Sequence, residues 1–397
     1  MRGKNDLLAA AAAVLLMACI DRDKPGICGD HVVDAGEACD APGDGCDVSC
    51  HLTGERAWTV VRSEPNNSVQ IVDIAVDPGG PIVVLGISNP PTDRDGTPWL
   101  FALDPTGEER WFVTLPPLET HATNPRVAVD ADGGIYVQDN GLRRYDPDGK
   151  PGWHVAPTDV DFTALVVADG AIYTAGAGRP MREIVLQRRE PTSGELVWER
   201  RLGDAEIDYI PFALAVAGDR VVALGSWSSF DGLESAFGSL RVVVDAVTGT
   251  GGTLVSESDE SSPAYVMGAL PGGDVVIAGQ AGLQWYLRRE TSDGAVLWDK
   301  PVEFKTEDGI GVSELAIGPD ETIVVAGSDG FDPRRGFVRS FSSAGELAWN
   351  VDYVPESASG ILLPTALAFG PGFLVVGALE DHGDPPATGW IQKVGPD

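Results

Sequence analysis

GERAWTVV (residues 54–61) and GELAWNVD (345–352) lie near opposite ends of this chain, yet they agree at five of eight positions. Their shared core, Gly followed four residues later by Trp, recurs in between. The Trp residues fall at positions 58, 111, 153, 198, 298 and 349, so six of the ten tryptophans hold one repeat position. The interval between Trp198 and Trp298 is twice the usual one. Midway through it, TGTGGTL (248–254) keeps Gly249 and places Thr253 where Trp would stand. A period of 40–55 residues marks a stacked repeat architecture.

Each unit has the same internal order. An alternating strand opens it, as in DIAVDP (73–78), RVAVDA (126–131), ALAVAG (213–218) and ELAIGP (314–319). A tight Gly/Asp turn leads to a β-branched strand ending in Gly, such as IVVLG (82–86) or IVVAG (323–327). A third strand and the Gly-x-x-x-Trp strand complete it. Four short strands per unit define a β-propeller blade, and helical periodicity is absent from this region. First strands begin near 72, 126, 163, 213, 265, 314 and 365, which predicts an all-β, seven-bladed β-propeller over 54–397. The last unit stops after its third strand, GWIQKV (389–394). Strand 54–61 supplies the missing fourth, closing the ring and covering an otherwise open sheet edge.

The Gly-x-x-x-Trp repeat resembles that of quinoprotein dehydrogenases and of related outer-membrane scaffold proteins. That resemblance implies that Trp58, Trp111, Trp153, Trp198, Trp298 and Trp349 pack between neighbouring blades, a role that recurs once per blade as catalysis would not. Quinone-dependent members carry adjacent cysteines or a c-type haem motif, and neither exists here. No His pair with metal spacing and no G-x-S-x-G elbow is present. DADGG (130–134) and DPDGK (146–150) are fragments of Ca²⁺ loops that lack the closing Glu, and they read as turns. The expectation is therefore no cofactor, no metal, no catalytic residues and a non-enzymatic scaffold. The alternative is an extracytoplasmic hydrolase or lyase with an acidic site on one propeller face, favoured by two facing carboxylates of raised pKa.

The N-terminus adds a location. Arg2 and Lys4 precede the eleven-residue apolar run LLAAAAAVLLM (7–17), which is too short to span a bilayer and fits a signal peptide over 1–18. The sequence LMAC resembles a bacterial lipobox, which implies lipidation at Cys19, a linker over 19–27 and an envelope location with the outer membrane favoured. The remaining cysteines, Cys28, Cys39, Cys46 and Cys50, form an even set suited to two disulfides in an oxidising compartment, with connectivity open among three pairings. CGDHVVDAGEACDAPGDGCDVSC (28–50) resembles a cysteine-rich repeat of secreted myxobacterial proteins, departing at His31, and implies an exported module over 28–52.

A formal net charge of −32 repels nucleic acid and leaves the lipid anchor as the route to a membrane. Another envelope protein or a polysaccharide is the expected partner, and the chain is expected to be a monomer. In a propeller, second-to-third-strand loops share a face with the inter-blade loops. Here that face carries the long segments 88–98, 227–238, 328–336 and 379–389, while the opposite face carries short turns. Recognition concentrates on variable loops of a rigid scaffold, with Arg and aromatic residues as anchors. The expected contact residues are Arg94, Phe331, Arg334, Arg335 and His382, with Trp227 and Phe230 as a second patch.

Overall fold

The computed structural model describes residues 46, 52–89, 96–116, 125–139, 141–156, 159–204, 206–230, 235–257, 264–281, 284–302, 311–329, 335–355, 360–381 and 386–395. Cys19, Cys28, Cys39, Cys50, Arg94, Phe331, Arg334 and His382 lie outside them. Seven four-stranded antiparallel sheets make up the fold, and the described residues contain no helix.

The first strand, β1 (Arg56–Arg62), stands apart from its sequence neighbours. Blade 1 is β2 (Ser68–Val76), β3 (Ile82–Asn89), β4 (Thr97–Leu103) and β5 (Glu109–Thr114). Blade 2 is β6 (Arg126–Val129), β7 (Ile135–Gln138), β8 (Leu142–Tyr145) and β9 (Pro151–Val155). Blade 3 is β10 (Val160–Ala168), β11 (Ala171–Gly178), β12 (Glu183–Arg189) and β13 (Leu196–Leu202). Blade 4 is β14 (Asp208–Ala217), β15 (Arg220–Phe230), β16 (Ser235–Asp245) and β17 (Gly251–Glu257). Blade 5 is β18 (Ala264–Ala269), β19 (Asp274–Ala281), β20 (Gln284–Thr291) and β21 (Val296–Val302). Blade 6 is β22 (Gly311–Ile317), β23 (Ile323–Asp329), β24 (Arg335–Phe341) and β25 (Leu347–Tyr353). Blade 7 is β26 (Ile361–Gly370), β27 (Phe373–Asp381) and β28 (Thr388–Val394), and β1 is its outermost strand.

Closure follows the duplicated sequence. β1 pairs antiparallel with β28, running from Arg56 opposite Val394 to Arg62 opposite Gly389. Gln392 donates to Thr59 across this ladder at 2.8 Å. The innermost strands β2, β6, β10, β14, β18, β22 and β26 each contact both neighbours around the ring.

Second strands are buried on both faces because each blade is sandwiched between two others. β3, β11 and β23 are almost wholly buried, which explains their continuous β-branched runs rather than alternation. The apolar core is divided among the blade interfaces. Phe373, Val375 and Ile391 of blade 7 meet Val69, Ile82 and Trp99 of blade 1, and comparable clusters join every successive pair. Cys46 is disulfide-bonded and 4% exposed. With Leu52 it enters the cluster shared by blades 6 and 7, so these two residues pack against the propeller.

One expectation about loops is corrected. The stretch 227–238 is not a long loop: β15 and β16 continue as a hairpin, with Trp227 opposite Gly238 and Phe230 opposite Ser235. Trp227 is 9% exposed and packs with Tyr209 and Leu240 in the core between blades 3 and 4. Burial by the adjacent blade, rather than the polar local sequence, decides its place. Phe230 ends β15, and its side chain lies outside the described residues.

Candidate functional site

The six repeated tryptophans form the inter-blade seams. Each sits half-buried on the outermost strand of its blade; five cross to the third-to-fourth-strand turn of the next blade, and Trp349 meets the segment leading into β1. Trp58, Trp111 and Trp153 donate their indole N–H to the carbonyls of Pro105, Pro147 and Pro191 at 2.9, 2.9 and 3.0 Å. Trp198 and Trp298 donate likewise to Ala246 at 3.2 Å and Ser343 at 3.1 Å. The acceptor is always the second residue of that turn. The repeat glycine of the next unit lies on the ring: Gly107 on Trp58, Gly149 on Trp111, Gly194 on Trp153, Gly249 on Trp198, Gly345 on Trp298 and Gly54 on Trp349. All six glycines have positive φ. The motif thus joins two blades, each Trp being received by the following unit's Gly.

The innermost strands share one aligned position, whose alanines are buried between blades. It is occupied by Asp73, Arg126, Ala164, Ala213, Val266, Glu314 and Ala366, each three residues or so before the end of its ladder with the second strand. The three charged members come together. Arg126 lies 3.3 Å from Glu314 and 3.9 Å from Asp73, linking blades 2, 6 and 1. Asp73 directs its other contacts to backbone, accepting from Ile74 at 2.9 Å and from Val127 at 2.8 Å. Burial raises the Asp73 carboxyl above its ordinary value, opposed by Arg126 and the two backbone donors. Burial pushes Glu314 up to about 7, again opposed by Arg126. Glu314 and Arg126 line a cavity of about 360 Å³ with Gln70, Ser313 and Thr365. Asp73 does not line it. Ser313 and Thr365, at bulges of β22 and β26, donate to Pro364 and Ile71 of the next blade at 2.7 and 2.6 Å.

The cavity therefore presents one carboxylate, held by a guanidinium. It can exchange a proton near neutrality, but the second acid is turned to β6. Since the folded-state pKa of Glu314 exceeds its unfolded value, the native state binds more protons between about 4.5 and 7. Stability from this group is complete below that window and falls as pH rises through it. Glu314→Gln should flatten that part of the pH–Tm profile, changing the pH 5 to pH 8 difference by about 2 kcal/mol. Thermal melts at four pH values read this directly, and an unchanged slope would show that Glu314 is ionised throughout.

The other channel mouth is a cavity of about 760 Å³ lined by first-to-second-strand turns, including Asp77, Pro78, Pro271, Pro319 and Pro371. On that face no connection exceeds six residues. The opposite face carries the longer connections 90–96, 115–125 and 303–310, whereas the segments 328–336 and 379–389, expected as long loops, leave 330–334 and 382–387 between strands, no longer than 190–195 on the short-turn face. Of the expected contact residues, Trp227 is buried as described above, and Arg335 begins β24, exposed, opposite Asp329. Among the described residues no group of three or more His, Cys, Asp or Glu side chains is arranged to hold a metal.

Seven four-stranded blades, Trp-sealed seams and a strand-closed ring define a β-propeller of the quinoprotein-like repeat class. Residues 96–242 and 138–329 match the family described as outer membrane protein assembly factor BamB, and the chain belongs to that family. No protein of curated function matches the sequence. Among solved structures, the Dos1 propeller is similar at 12% identity, over 86% of this chain and 95% of that one, with a TM-score of 0.51. Virginiamycin B lyase from Staphylococcus aureus is similar at 11% identity, over 85% and 98%, with a TM-score of 0.52. At such identities the likeness is one of fold.

Proposed function

We propose that this protein is a non-enzymatic envelope lipoprotein, anchored through Cys19 at the outer membrane, whose propeller binds another envelope protein on its long-loop face. The observation that carries this reading is the match over residues 96–329 to a family named for outer-membrane protein assembly. The fold supports it: rigid Trp-sealed blades hold variable connections on one face, the arrangement that recognition surfaces favour. A polysaccharide is the other ligand class compatible with this face.

The hydrolase or lyase reading draws on one observation, the channel cavity with Glu314. A carboxylate pair able to act as acid and base needs both groups facing the substrate. Here Asp73 accepts from backbone and Arg126 balances the charge, which weighs against that chemistry.

Capture tests the binding reading. Crosslinked pulldown from envelope should recover a partner with the wild-type chain, and replacing Phe331, Arg334 and Arg335 together by Ala should abolish recovery with Tm nearly unchanged. In the same preparation, Cys19→Ser should move the protein from the membrane pellet to the soluble fraction. Recovery that survives the triple replacement, or a Cys19→Ser protein still in the pellet, would contradict the assignment.

A further inference from the structure

The cavity lined by Glu314 and Arg126 is built by four consecutive blades, 6, 7, 1 and 2. Arg126 begins β6 and Ser313 is third in β22, just after the connections 115–125 and 303–310. The cavity therefore lies at the long-loop end of the channel. Its place in the ring follows from a bulge in the innermost strands. The bulged residue is Val72, Ser313 and Thr365 in blades 1, 6 and 7, and all three line the cavity. In blades 4 and 5 it is Phe212 and Tyr265, whose rings stack 6.1 Å apart. The next position carries Asp73, Arg126 and Glu314 in blades 1, 2 and 6, against Ala164, Ala213 and Val266 in blades 3, 4 and 5. Small side chains and charge are gathered on one side of the ring.

Neither charged group is used up by the other. Arg126 Nη1 donates to Glu314 Oε1 at 3.3 Å, and among the described residues that is the one hydrogen bond either side chain makes. Oε2 of the carboxylate and the Nε–Nη2 edge of the guanidinium remain, with 19% and 25% of the two side chains accessible. That edge carries two parallel N–H donors, the geometry that fits a carboxylate. Glu314 beside it attracts a cation. Ser313 and Thr365 give their hydroxyl protons to the Pro364 and Ile71 carbonyls, so their oxygens can only accept from a ligand. Val72, Val312, Leu363 and Pro364 supply aliphatic wall.

We propose that this cavity binds a free α-amino acid with an aliphatic side chain, its carboxylate on Arg126 and its ammonium on Glu314, Ser313 and Thr365. An α-amino acid carries both charged groups on one carbon, which suits a guanidinium and a carboxylate already in contact. A simple carboxylic acid would meet Arg126 but leave Glu314 as a repelling neighbour, and a simple amine would leave the guanidinium fork unfilled. As a zwitterion the ligand has no net charge, so the −32 of the chain does not repel it. The volume of about 360 Å³ suits a ligand of this size, since small-molecule pockets begin at about 300 Å³. Partner capture is a separate property: here the ligand is held by innermost strands rather than by the loops above them.

The test titrates the full mature chain with leucine, N-acetylleucine and leucinamide by calorimetry. Leucine should bind, and the derivatives, which lack the ammonium and the carboxylate respectively, should each bind about tenfold or more weakly than leucine. Glu314→Gln should weaken leucine by a similar factor while leaving N-acetylleucine unchanged. Leucine should also bind more tightly at pH 8 than at pH 6, because its ammonium is held by the ionised form of Glu314, whose pKa burial pushes up to about 7. Arg126 and Asp73 are the charged groups facing that carboxyl among the described residues. Equal binding of the three compounds, no binding of leucine, or undiminished leucine binding to Glu314→Gln would overturn the proposal. Should that variant fail to fold, the three-compound comparison and the pH series on the wild-type chain decide. Because no natural partner enters this experiment, its failure leaves loop-face capture standing, and loss of capture leaves it untouched.

Discussion

A chain lacking residues 54–61 is expected to lose the folded propeller, or to melt roughly 10 °C or more below the wild type. The deletion removes the whole outer strand of blade 7. It exposes the edge of β28, which invites pairing with other chains. It also unseals the junction to blade 1. Trp58 and Val60 pack against the cluster joining those blades, and Arg62 stacks over Phe101 at 4.3 Å while pairing with Glu109. Deleting residues 20–50 is expected to cost less, on the order of 2 kcal/mol, because among the described residues it takes Cys46 alone from the shared core while leaving the ring closed. Thermal melts and sedimentation of both truncations check this. A milder effect from losing 54–61 than from losing 20–50 would mean that closure by β1 is not what holds the ring.

The second large effect is expected at a seam. Trp111→Ala should cost about 3 kcal/mol, since it empties a blade junction and leaves the Pro147 carbonyl without its donor. Gly149→Ala should also destabilise, by about 1–3 kcal/mol. Its φ is +77°, and a Cβ there would stand 2.8 Å from the Trp111 ring. The two changes should couple. With the ring gone the new methyl meets no clash, so the double variant should be more stable than the sum predicts by about 0.5 kcal/mol or more. Strict additivity in chemical denaturation would show that ring and glycine act separately.

Much of this architecture is legible in the sequence, for physical reasons. A propeller repeats one packing problem seven times, so its solution, a Trp received by the next unit's Gly, is written at a fixed spacing. Ring closure is written as the likeness of 54–61 to 345–352. The placement of Trp227 is not legible. WSSFDG carries the composition of a loop, while its extension into a hairpin is enforced by packing against blade 3. The channel cluster is an intermediate case. DIAVDP, RVAVDA, ALAVAG and ELAIGP all begin at one repeat position, so reading down their first letters gives Asp73, Arg126, Ala213 and Glu314. That column contains the signal, but only a closed ring shows that its members converge. Arg241 is similar: it looks like an ordinary charged strand residue until register aligns it with buried Leu100, Leu186, Leu287, Val338 and Ile391.

Binding through the long-loop face is most directly tested by site-specific photocrosslinking of the lipidated chain in its envelope. A photoreactive residue replaces either Thr97, exposed at the start of β4 on that face, or Asp148, exposed in a short turn on the opposite one. The expected result is a discrete adduct from position 97 and none from position 148. An adduct from position 148 alone would place the partner on the short-turn face and contradict the assignment.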